Sequence, residues 1–374
     1  MENTKEPVKV LYFVDRMLRG GIQTFVLENW RHMDHNKVQI DFLLLDDGNT
    51  YELEDTLRGL GSRIYKLKGI WVKKPNDFFS YRRAVDAFFK VHHDYRVVHL
   101  HSTSKNYMVL KCAKKYGIPV RIAHSHCNAF QTTSKAQILI GNLFKPLLKY
   151  YATDYFACSE DAGRWLFGEE KITVIKNAVD IDKYRYEPIK ADCMRKKLKL
   201  DGKKVVGHVG RFTYQKNHTF LIDIFKELVE VDSDYRLLLI GEGALEEQIK
   251  IKAKTYGVEN KIIFAGFKSN VEDYMQAMDL FVFPSESEGL GLVLIEAQAA
   301  GLPCYTSEKV VPQEAKVSDL LMYIPLEDGP KMWAEQIDKT WKKFKRETPE
   351  DDIEERGYSI VETAKQLERY YLEH

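Results

Sequence analysis

Residues 281–303 read FVFPSESEGLGLVLIEAQAAGLP and contain a complete strand–loop–helix unit. FVFP ends a short apolar strand, SESEGLG is a loop with two glycines, and the apolar run that follows predicts a helix from about Leu290 to Ala300. The predicted helix is apolar on nearly every side, which is typical of a buried helix. A buried helix after a strand indicates a parallel sheet with helices on its faces.

Units of this kind recur along the whole chain. Runs rich in β-branched residues alternate with helical patterns, and about a dozen strands are too many for one convenient sheet. We therefore expect an α/β fold of two Rossmann-like, doubly wound parallel-sheet domains that face a cleft, with ligands outside the carboxyl ends of the strands. The other predicted strands are VKVLYFVD, VQIDFLLL, VVHLHS, VRIAHS, TDYFACS, ITVIKNAV, KVVGHVGRF, YRLLLIGEG, KIIFAGF and LPCYTS.

The order of these units predicts the domain boundaries. Residues 1–180 contain the strands of a first domain, and residues 204–350 contain those of a second. Between them, residues 181–203 are polar and charged and have no strand pattern, which predicts a linker. Residues 351–374 contain a final helix with an apolar stripe.

The composition is that of a globular protein without a membrane span. The 374 residues are 44% hydrophobic, and they contain no run of about 18 or more uncharged apolar residues. The N-terminal MENTKEPVKV has no apolar signal core. Five cysteines have neither paired nor metal-ligand spacing, which predicts reduced thiols in a cytoplasmic protein.

Charge is distributed unevenly although the net charge is only +1. Residues 60–150 contain 17 Lys and Arg against 3 Asp and Glu, a balance of +14. This excess indicates an anionic partner for the first domain; the alternative is a solvated basic face. The chain has no ladder of aromatic and basic residues and no zinc pattern, so we expect no nucleic-acid partner.

Two carboxylates bracket the apolar run of residues 281–303. Glu288 lies in the loop and Glu296 lies inside the predicted helix, where a charge needs a partner. Gly289 and Gly291 allow a ligand to approach the backbone, and the free N–H groups at a helix start suit a phosphate. Hydroxyl-binding glutamates on either side of a phosphate predict a nucleotide-sugar site. The alternative is an ordinary loop with one solvated and one capping glutamate.

A second predicted site supplies positive charge. The stretch HVGRFTYQKNH, residues 208–218, places Arg211 and Lys216 in a loop after a strand and before a helix. Two such cations can straddle a diphosphate and stabilise the negative charge that grows on a leaving phosphate. The alternative is a solvated loop.

These motifs together resemble a known family. G-R-F-x₃-K-N-H, L-L-I-G-E-G, I-F-A-G-F and F-P-S-x-x-E-G-L-G-L-V-L-I-E-A-x-A-A-G-L-P are similar to those of family-four retaining glycosyltransferases of the GT-B fold. In detail the chain resembles bacterial enzymes of capsular or exopolysaccharide assembly. The resemblance covers nearly the whole chain and is densest from 204 to 306. It implies that the first domain serves the acceptor, that the second binds the nucleotide-sugar, and that the final helix returns to the first domain.

The resemblance also implies roles for individual residues of the second domain. Glu288 would contact hydroxyls of the donor sugar, Glu296 would bind the ribose, and Arg211 and Lys216 would bind the diphosphate. Backbone groups would complete the donor site at Gly289, Leu290, Gly291, Leu292, Gly243, Phe267 and Lys268.

In the first domain the resemblance points to two strand ends. Gly20 and Gly21 match a glycine loop that approaches the donor phosphate or the acceptor, although Gln23 stands where many relatives have glutamate; a simple helix start is the alternative. In RIAHSHCN, residues 121–128, His126 matches a histidine that hydrogen-bonds the donor sugar, with His124 as the rival and a purely structural role as the alternative.

The resemblance implies transfer of a sugar from a nucleotide-sugar, UDP-linked, to an acceptor hydroxyl with retention of configuration and without a cofactor or a metal. The D-x-D at residues 180–182 is assigned to the linker, and no G-x-G-x-x-G follows the first strand, which argues against a dinucleotide cofactor. The competing functions are a nucleotide-sugar epimerase on the same fold and a catalytically silent scaffold of a polysaccharide-assembly complex. A phosphorylase would have a longer chain and a cofactor lysine.

The acceptor is predicted only by class, as a saccharide or a lipid-linked saccharide. LIGNLFKPLLKYY, residues 139–151, is both basic and apolar. It predicts peripheral contact with anionic lipid on the inner face of the cell membrane. An ordinary buried helix with charged edges is the alternative.

Overall fold

The computed structural model describes residues 6–18, 20–67, 75–130, 132, 134–341 and 344–374. The chain divides into two compact units. The first unit comprises Met1–Ala178 and Ile360–His374, and the second comprises Val179–Ser359. Lys68, Lys73 and Lys74 of the basic region lie outside the described residues.

Strands and helices alternate along both units. The strands are β1 (Val8–Val14), β2 (Val38–Leu45), β3 (Ile64–Leu67), β4 (Val97–His101), β5 (Val120–Ser125), β6 (Asp154–Ala157), β7 (Thr173–Val174), β8 (Lys204–Val209), β9 (Tyr235–Ile240), β10 (Ile262–Phe264), β11 (Leu280–Phe283), β12 (Cys304–Ser307) and β13 (Leu321–Ile324). The helices are α1 (Gly21–Arg31), α2 (Glu52–Gly59), α3 (Pro75–Val91), α4 (Tyr107–Lys115), α5 (Lys135–Tyr151), α6 (Glu160–Phe167), α7 (Ile181–Tyr184), α8 (Pro188–Leu198), α9 (His218–Val231), α10 (Glu246–Thr255), α11 (Val271–Gln276), α12 (Leu292–Ala299), α13 (Gly329–Trp341), α14 (Glu350–Glu355) and α15 (Ile360–Glu373).

Each unit is built on one parallel sheet, which confirms the predicted fold class. The first sheet has seven strands in the order β3-β2-β1-β4-β5-β6-β7, and the second has six in the order β10-β9-β8-β11-β12-β13. The chain therefore winds outward in both directions from β1 in the first unit and from β8 in the second. These reversal points are where doubly wound sheets bind ligands.

Alternate residues of the central strands enter separate cores on the two faces of each sheet. In β1, Val10, Tyr12 and Val14 belong to one core, and Leu11 and Phe13 belong to the other. The second unit repeats the pattern, since neighbouring residues Val205 and Val206 of β8 belong to different cores. Burial on both faces explains why these strands are continuous apolar runs rather than alternating ones.

The segment expected to be a linker, residues 181–203, is part of the second unit. It forms α7 and α8, and Ile181, Tyr184, Met194 and Leu200 are buried in one of that unit's cores. Its apolar residues are few, but they have helical spacing, which a search for strands overlooks.

The last helix belongs to the first unit. The buried side chains of α15 include Ala364, Leu367 and Tyr371, which pack in the same core as β1. The Tyr371 hydroxyl lies 2.7 Å from that of Tyr12, so a polar contact accompanies the apolar packing.

Two elements differ locally from the sequence prediction. ITVIKNAV forms a strand only at Thr173–Val174. The helix after the FVFP strand begins at Leu292 rather than at Leu290, because Gly291 has a φ of +73° and caps the helix in a left-handed conformation. Glycine adopts this conformation without steric cost.

Arg346 fixes the far end of this helix. Its guanidinium donates hydrogen bonds to the carbonyls of Ala300 after α12 and of Met275, Gln276 and Met278 at the end of α11. The Met275 carbonyl also accepts from the Met278 N–H, and Arg346 bonds it together with three further carbonyls, so one half-buried cation joins the ends of two helices. Burial lowers the pKa of Arg346 to about 10, which still leaves the side chain charged at neutral pH.

Every helix within the described ranges is too short or too polar to cross a membrane.

Candidate active site

Two loops meet at the reversal point of the second sheet. One follows β8 and contains Arg211 and Lys216, and the other follows β11 and contains Glu288. Since β8 and β11 are neighbouring parallel strands, both loops leave the same edge of the sheet. The backbone N–H of Glu286 donates to the carbonyl of Gln215 over 2.8 Å, which joins the loops directly.

Lys216 and Glu288 form an ion pair between these loops. Lys216 Nζ lies 2.5 Å from Glu288 Oε1, and Ser285 Oγ lies 2.6 Å from the same oxygen. The side chains of Lys216 and Glu288 are only 22% and 9% exposed. The Lys216 ammonium also lies 4.7 Å from the centre of the Phe283 ring. The structure thus brings a predicted cation and a predicted carboxylate together in a partly desolvated position, where charge interactions are strong.

Arg211 and Glu296 lie at the same edge but outside this pair. The Arg211 side chain is exposed and has no ion pair with any described residue. Glu296 is half-buried on the one face of α12 that is partly accessible, together with Leu292 and Val293. The sequence predicted a helix too apolar to offer Glu296 a solvated face, and the partly accessible face shows that this part of the prediction was wrong.

The start of α12 offers backbone groups. The first intrahelical bond runs from the Leu294 N–H to the Gly291 carbonyl, so the N–H groups of Leu292 and Val293 precede the helical ladder. A Cβ on Gly289 would meet nothing within 4 Å. The space beside Gly289 is therefore open to a ligand. Leu290 is partly exposed in the same loop.

The loops after β9 and β10 line the neighbouring edge. Gly243 is packed against the backbone of Phe212, and a Cβ there would lie 2.5 Å from the Phe212 carbonyl oxygen. The packing of the loop therefore requires glycine at position 243. The Phe267 N–H donates to Glu242 over 3.2 Å, the Phe267 ring is exposed, and Lys268 Nζ lies 5.6 Å from the Tyr274 ring. Glu242 was missed in the sequence, where it appears only as part of a G-E-G turn.

Two buried histidines lie beneath the cationic loop. His208 Nδ1 lies 2.8 Å from the Val282 carbonyl oxygen, and its ring is 4.5 Å from that of His218. Burial lowers the pKa of His208 to about 4 and that of His218 to about 2. Both rings are therefore neutral at physiological pH and add no charge to the site.

In the first unit, Gly20 and Gly21 lie at the start of α1, at the reversal point beside β1. Gly20 precedes the helix with extended backbone, and a Cβ there would lie 2.8 Å from Gln23 Oε1. Gln23 Nε2 donates to the Arg16 carbonyl over 2.6 Å. A glutamate cannot make this bond because it has no N–H, so the departure from the family pattern has a local structural role.

Four histidines from β4 and β5 form a stacked cluster. His99 stacks on His101 and His124 stacks on His126, each pair with ring centres 4.1 Å apart. His99 Nε2 lies 3.0 Å from His124 Nδ1, and His101 Nδ1 lies 2.9 Å from His126 Nε2. The sequence predicted a role for one of two histidines, and it missed that all four are in contact.

The environments of His126 and His124 within the cluster differ. His124 is fully buried and bonded to His99, whereas His126 is partly exposed at the end of β5. Burial lowers the pKa of His126 to about 3 and holds those of His99, His101 and His124 well below the usual range. His126 Nδ1 has no hydrogen-bond partner among the described residues.

One nitrogen from each of His99, His101 and His124 lies within 4.8 Å of the others, which is a spacing that a metal ion could use. Imidazole binds a metal in the plane of the ring, however, and stacked rings direct their nitrogens along parallel planes. The observed pairing is between ring nitrogens, as expected of neutral imidazoles that share hydrogen bonds.

Asp15 is a further polar group that the sequence analysis missed. It follows β1, and its Oδ1 accepts hydrogen bonds from Ser102 Oγ at 2.8 Å and Asn106 Nδ2 at 2.7 Å. Lys105 Nζ lies 3.1 Å from its other oxygen. The signal that could have found it is its position directly after the first strand, at the reversal point of the sheet.

Two family descriptions match the sequence, one in each unit. Residues 19–183 match the family described as Glycosyltransferase Family 4, and residues 190–343 match Glycosyl transferases group 1. These matches and the predicted motifs point to the same enzymes.

Similar proteins extend the comparison over the full chain. A protein of Bacillus subtilis (strain 168), named as the glycosyltransferase EpsF, is 31% identical over 376 residues, which cover 97% of this chain and 96% of that protein. An Escherichia coli enzyme, UDP-Gal:alpha-D-GlcNAc-diphosphoundecaprenol alpha-1,3-galactosyltransferase, is 24% identical over 82% of this chain and 81% of its own length. Among solved structures, Anabaena HepE in complex with UDP and glucose matches with a TM-score of 0.75 at 18% identity, covering 98% of this chain and 100% of that chain. This likeness confirms the fold.

Proposed function

The chain belongs to the glycosyltransferases, and from that premise we propose that it moves a sugar from a UDP-sugar to an acceptor hydroxyl during the assembly of a bacterial polysaccharide. The relatives support the class of product, since similar proteins include the E. coli galactosyltransferase with its diphosphoundecaprenol acceptor. The structural match to a protein that holds UDP and glucose supports the class of donor.

The observation that carries the proposal is the ion pair between Lys216 and Glu288 at the reversal point of the second sheet. In our proposal Lys216 binds the diphosphate of the donor and Glu288 binds hydroxyls of its sugar. Their contact therefore places one binding group on each side of the scissile bond. Arg211, exposed at the same edge, binds the diphosphate from the other side. Glu296 binds the ribose from the accessible face of α12.

The proposed chemistry uses positive charge rather than a metal. As the bond between sugar and phosphate breaks, charge grows on the leaving diphosphate, and Lys216, Arg211 and the N–H groups before α12 stabilise it. The acceptor hydroxyl attacks the anomeric carbon, and its proton passes to the leaving phosphate. This front-side route gives retention of configuration.

In the first unit, we propose that His126 binds a saccharide hydroxyl. Its Nε2 is held by His101, and its Nδ1 is a buried nitrogen without a hydrogen-bond partner among the described residues. In our proposal, a small movement of the partly exposed ring brings this nitrogen to the saccharide. The low pKa of His126 makes it a neutral hydrogen-bonding group rather than a cation. Gly21 leaves room for a ligand at the neighbouring loop, whereas the space beside Gly20 is taken by the Gln23 side chain.

The proposed acceptor is a lipid-linked saccharide, with the protein at the inner face of the cell membrane. Support comes from one face of α5, where Leu139, Leu143 and Tyr150 are 71%, 69% and 67% exposed. Most large apolar side chains elsewhere in the described chain are buried. Exposed apolar residues beside basic ones suit an anionic lipid surface.

The proposal is tested by UDP release from a panel of UDP-sugars, with and without lipid-linked saccharides, in the presence and absence of EDTA. We expect acceptor-dependent release with one donor, unchanged by EDTA, and a product whose anomeric configuration matches the donor by NMR. Donor consumption without acceptor would indicate an epimerase instead. UDP binding without turnover of any donor would indicate a silent scaffold. An inverted product would refute the front-side route.

A further inference from the structure

A basic cavity of about 630 Å³ lies on the outer surface of the first unit, between α3, α4 and the end of α5. It is distinct from the reversal point of the sheet that holds His126 and Asp15. The basic residues that line it are Arg82, Arg83, Lys111, Lys114 and Lys115. They account for part of the +14 charge balance of residues 60–150.

The positive charge of this cavity is mostly uncompensated. Lys115 Nζ lies 2.5 Å from Asp86, which is the carboxylate in the lining. Arg82, Arg83, Lys111 and Lys114 have no carboxylate partner among the residues that the structure describes. Cations gathered in a concave surface concentrate the local potential and attract anions.

Apolar groups surround these cations. Met108 and Cys112 form a buried floor, Phe79 at the wall is 61% exposed, and Tyr151 completes the lining. Lys114 Nζ lies 4.3 Å from the centre of the Tyr150 ring, so the cavity adjoins the exposed face of α5. That face carries Leu139, Ile140, Leu143, Leu147 and Tyr150.

We infer that the cavity binds the phosphate headgroup of an anionic membrane lipid while the exposed face of α5 contacts the acyl chains. Charge alone would suit any phosphate, but an adjoining row of exposed aliphatic and aromatic side chains suits a ligand that has an apolar part. A long exposed apolar row is otherwise costly in water. This inference rests on the proposed membrane contact and names the site that makes it.

The test measures binding of the full chain to vesicles of phosphatidylcholine with and without phosphatidylglycerol, by flotation at low salt. The cavity variant is Arg82→Ala with Lys111→Ala. Its matched control is Lys90→Ala with Arg96→Ala, which removes two exposed cations of the same unit that do not line the cavity. A third variant, Leu139→Ser with Leu143→Ser, removes part of the apolar face. Circular dichroism and thermal melts establish that each variant is folded.

We expect the cavity variant to lose about 30-fold in partition to the anionic vesicles, since each cation at such a surface contributes about 1 kcal/mol. The control should lose less than about threefold, because the contribution of a cation falls off within a Debye length of the surface. The Leu139→Ser, Leu143→Ser variant should also lose binding. Equal losses in the cavity variant and its control would overturn the inference in favour of a diffuse basic face.

Two further arms separate this inference from other outcomes. Titration with inorganic phosphate asks whether the cavity takes a free anion: binding that Arg82→Ala with Lys111→Ala abolishes, without any vesicle binding, would overturn the lipid assignment. UDP binding is measured in the same preparations. A chain that binds UDP and turns over a donor but ignores anionic vesicles refutes the headgroup site and leaves the proposed sugar transfer standing.

Discussion

Lys216 has a position that few surface lysines have. Its ammonium contacts Glu288 and lies over the Phe283 ring, and its aliphatic part is packed near Gly210, where a Cβ would lie 3.3 Å from Lys216 Cγ. The side chain is therefore held by packing as well as by charge. A cation that is already oriented loses little conformational entropy when a phosphate binds, and this favours stabilisation of the leaving group.

We predict that Lys216→Ala lowers kcat/KM for the donor by about 100-fold or more, the usual effect of removing one preorganised group at a developing charge. The fold should persist, because Ser285 still lies beside Glu288. Glu288→Ala should have a similar effect through loss of the sugar contact. Initial rates of UDP release measure both.

Lys254→Ala is the matched control for this prediction, since Lys254 is exposed on α10 in the same unit and belongs to neither the loop after β8 nor the loop after β11. It should retain full activity. Near wild-type turnover of Lys216→Ala would remove Lys216 from the diphosphate site.

The histidine cluster allows a second residue-level prediction. His126→Ala should lower transfer by about tenfold or more with a small change in melting temperature, because His126 is partly exposed and a positioned hydrogen bond contributes on that scale. His124→Ala should mainly lower the melting temperature, because it removes a fully buried ring that is bonded to His99. The opposite pattern, with transfer sensitive only to His124, would exchange the two roles.

The sequence predicted most of these positions but not their partners. Arg211, Lys216 and Glu288 were found because each follows a recognisable strand. The ion pair itself joins residues 72 positions apart and depends on β8 lying beside β11. The four histidines likewise meet only because β4 and β5 are paired in the register that aligns His99 with Ile122. Strand order and register are tertiary properties that one sequence does not display.

Among the elements, α12 shows most clearly which parts serve the fold and which parts are open to a ligand. Its buried side chains anchor it in one core of the second unit, Arg346 caps its end, and its start is left at the sheet edge. The two glycines before it differ. Gly291 is needed for its backbone conformation, whereas Gly289 has open space around it.

We therefore predict different consequences for alanine at these glycines. Gly289→Ala should leave the melting temperature unchanged within error and raise KM for the donor by about tenfold, because a methyl group there obstructs only a ligand. Gly291→Ala should lower stability by about 1 kcal/mol, because alanine is strained at a φ of +73°. Thermal melts with UDP titrations separate the two effects.

A Gly289→Ala protein that binds UDP-sugar as tightly as wild type would show that the donor does not approach this loop. Loss of stability in the same variant would show that the loop is packed more closely than its contacts indicate.

Elements were predictable from sequence in proportion to their burial. The central strands β1, β2, β5 and β8 are mostly buried, and they were found within a few residues of their bounds. The strands that were missed or overestimated are β3, β7 and β13, and all three lie at sheet edges. An edge strand is short and only partly covered, so its sequence lacks the apolar run that marks a central strand.

At the scale of the whole molecule, buried histidines create a dependence of stability on pH. His99, His101, His124 and His126 in the first unit and His208 and His218 in the second all have a pKa lowered by burial. The folded protein holds these six rings neutral. The unfolded chain binds a proton at each of them below about pH 6.5, the ordinary pKa of histidine.

A pKa that is depressed in the folded state stabilises the fold above the unfolded pKa, and this contribution is lost as pH falls. As pH falls below 6.5, the unfolded chain binds more protons than the folded protein, so the free energy of unfolding decreases. At pH 5.5 each ring that stays neutral costs about 1.4 kcal/mol, so His208 and His218 together cost the second unit about 3 kcal/mol. That is a substantial part of the total stability of a typical domain, about 5–15 kcal/mol.

We predict a steep fall in stability between pH 7.5 and pH 5.5, measured as the midpoint of urea unfolding. The carboxylates whose pKa is lowered by ion pairs, such as Asp86 beside Lys115 and Asp94 beside Lys9, lose their contribution only at pH values below about 4. The interval from pH 7.5 to 5.5 therefore isolates the histidines. His218→Phe, which keeps an aromatic ring next to Phe212, should make the fall less steep by one proton. A midpoint that stays constant down to pH 5.5 would mean that these rings are not held neutral, and would remove the basis for treating His126 as an uncharged group in the proposed reaction.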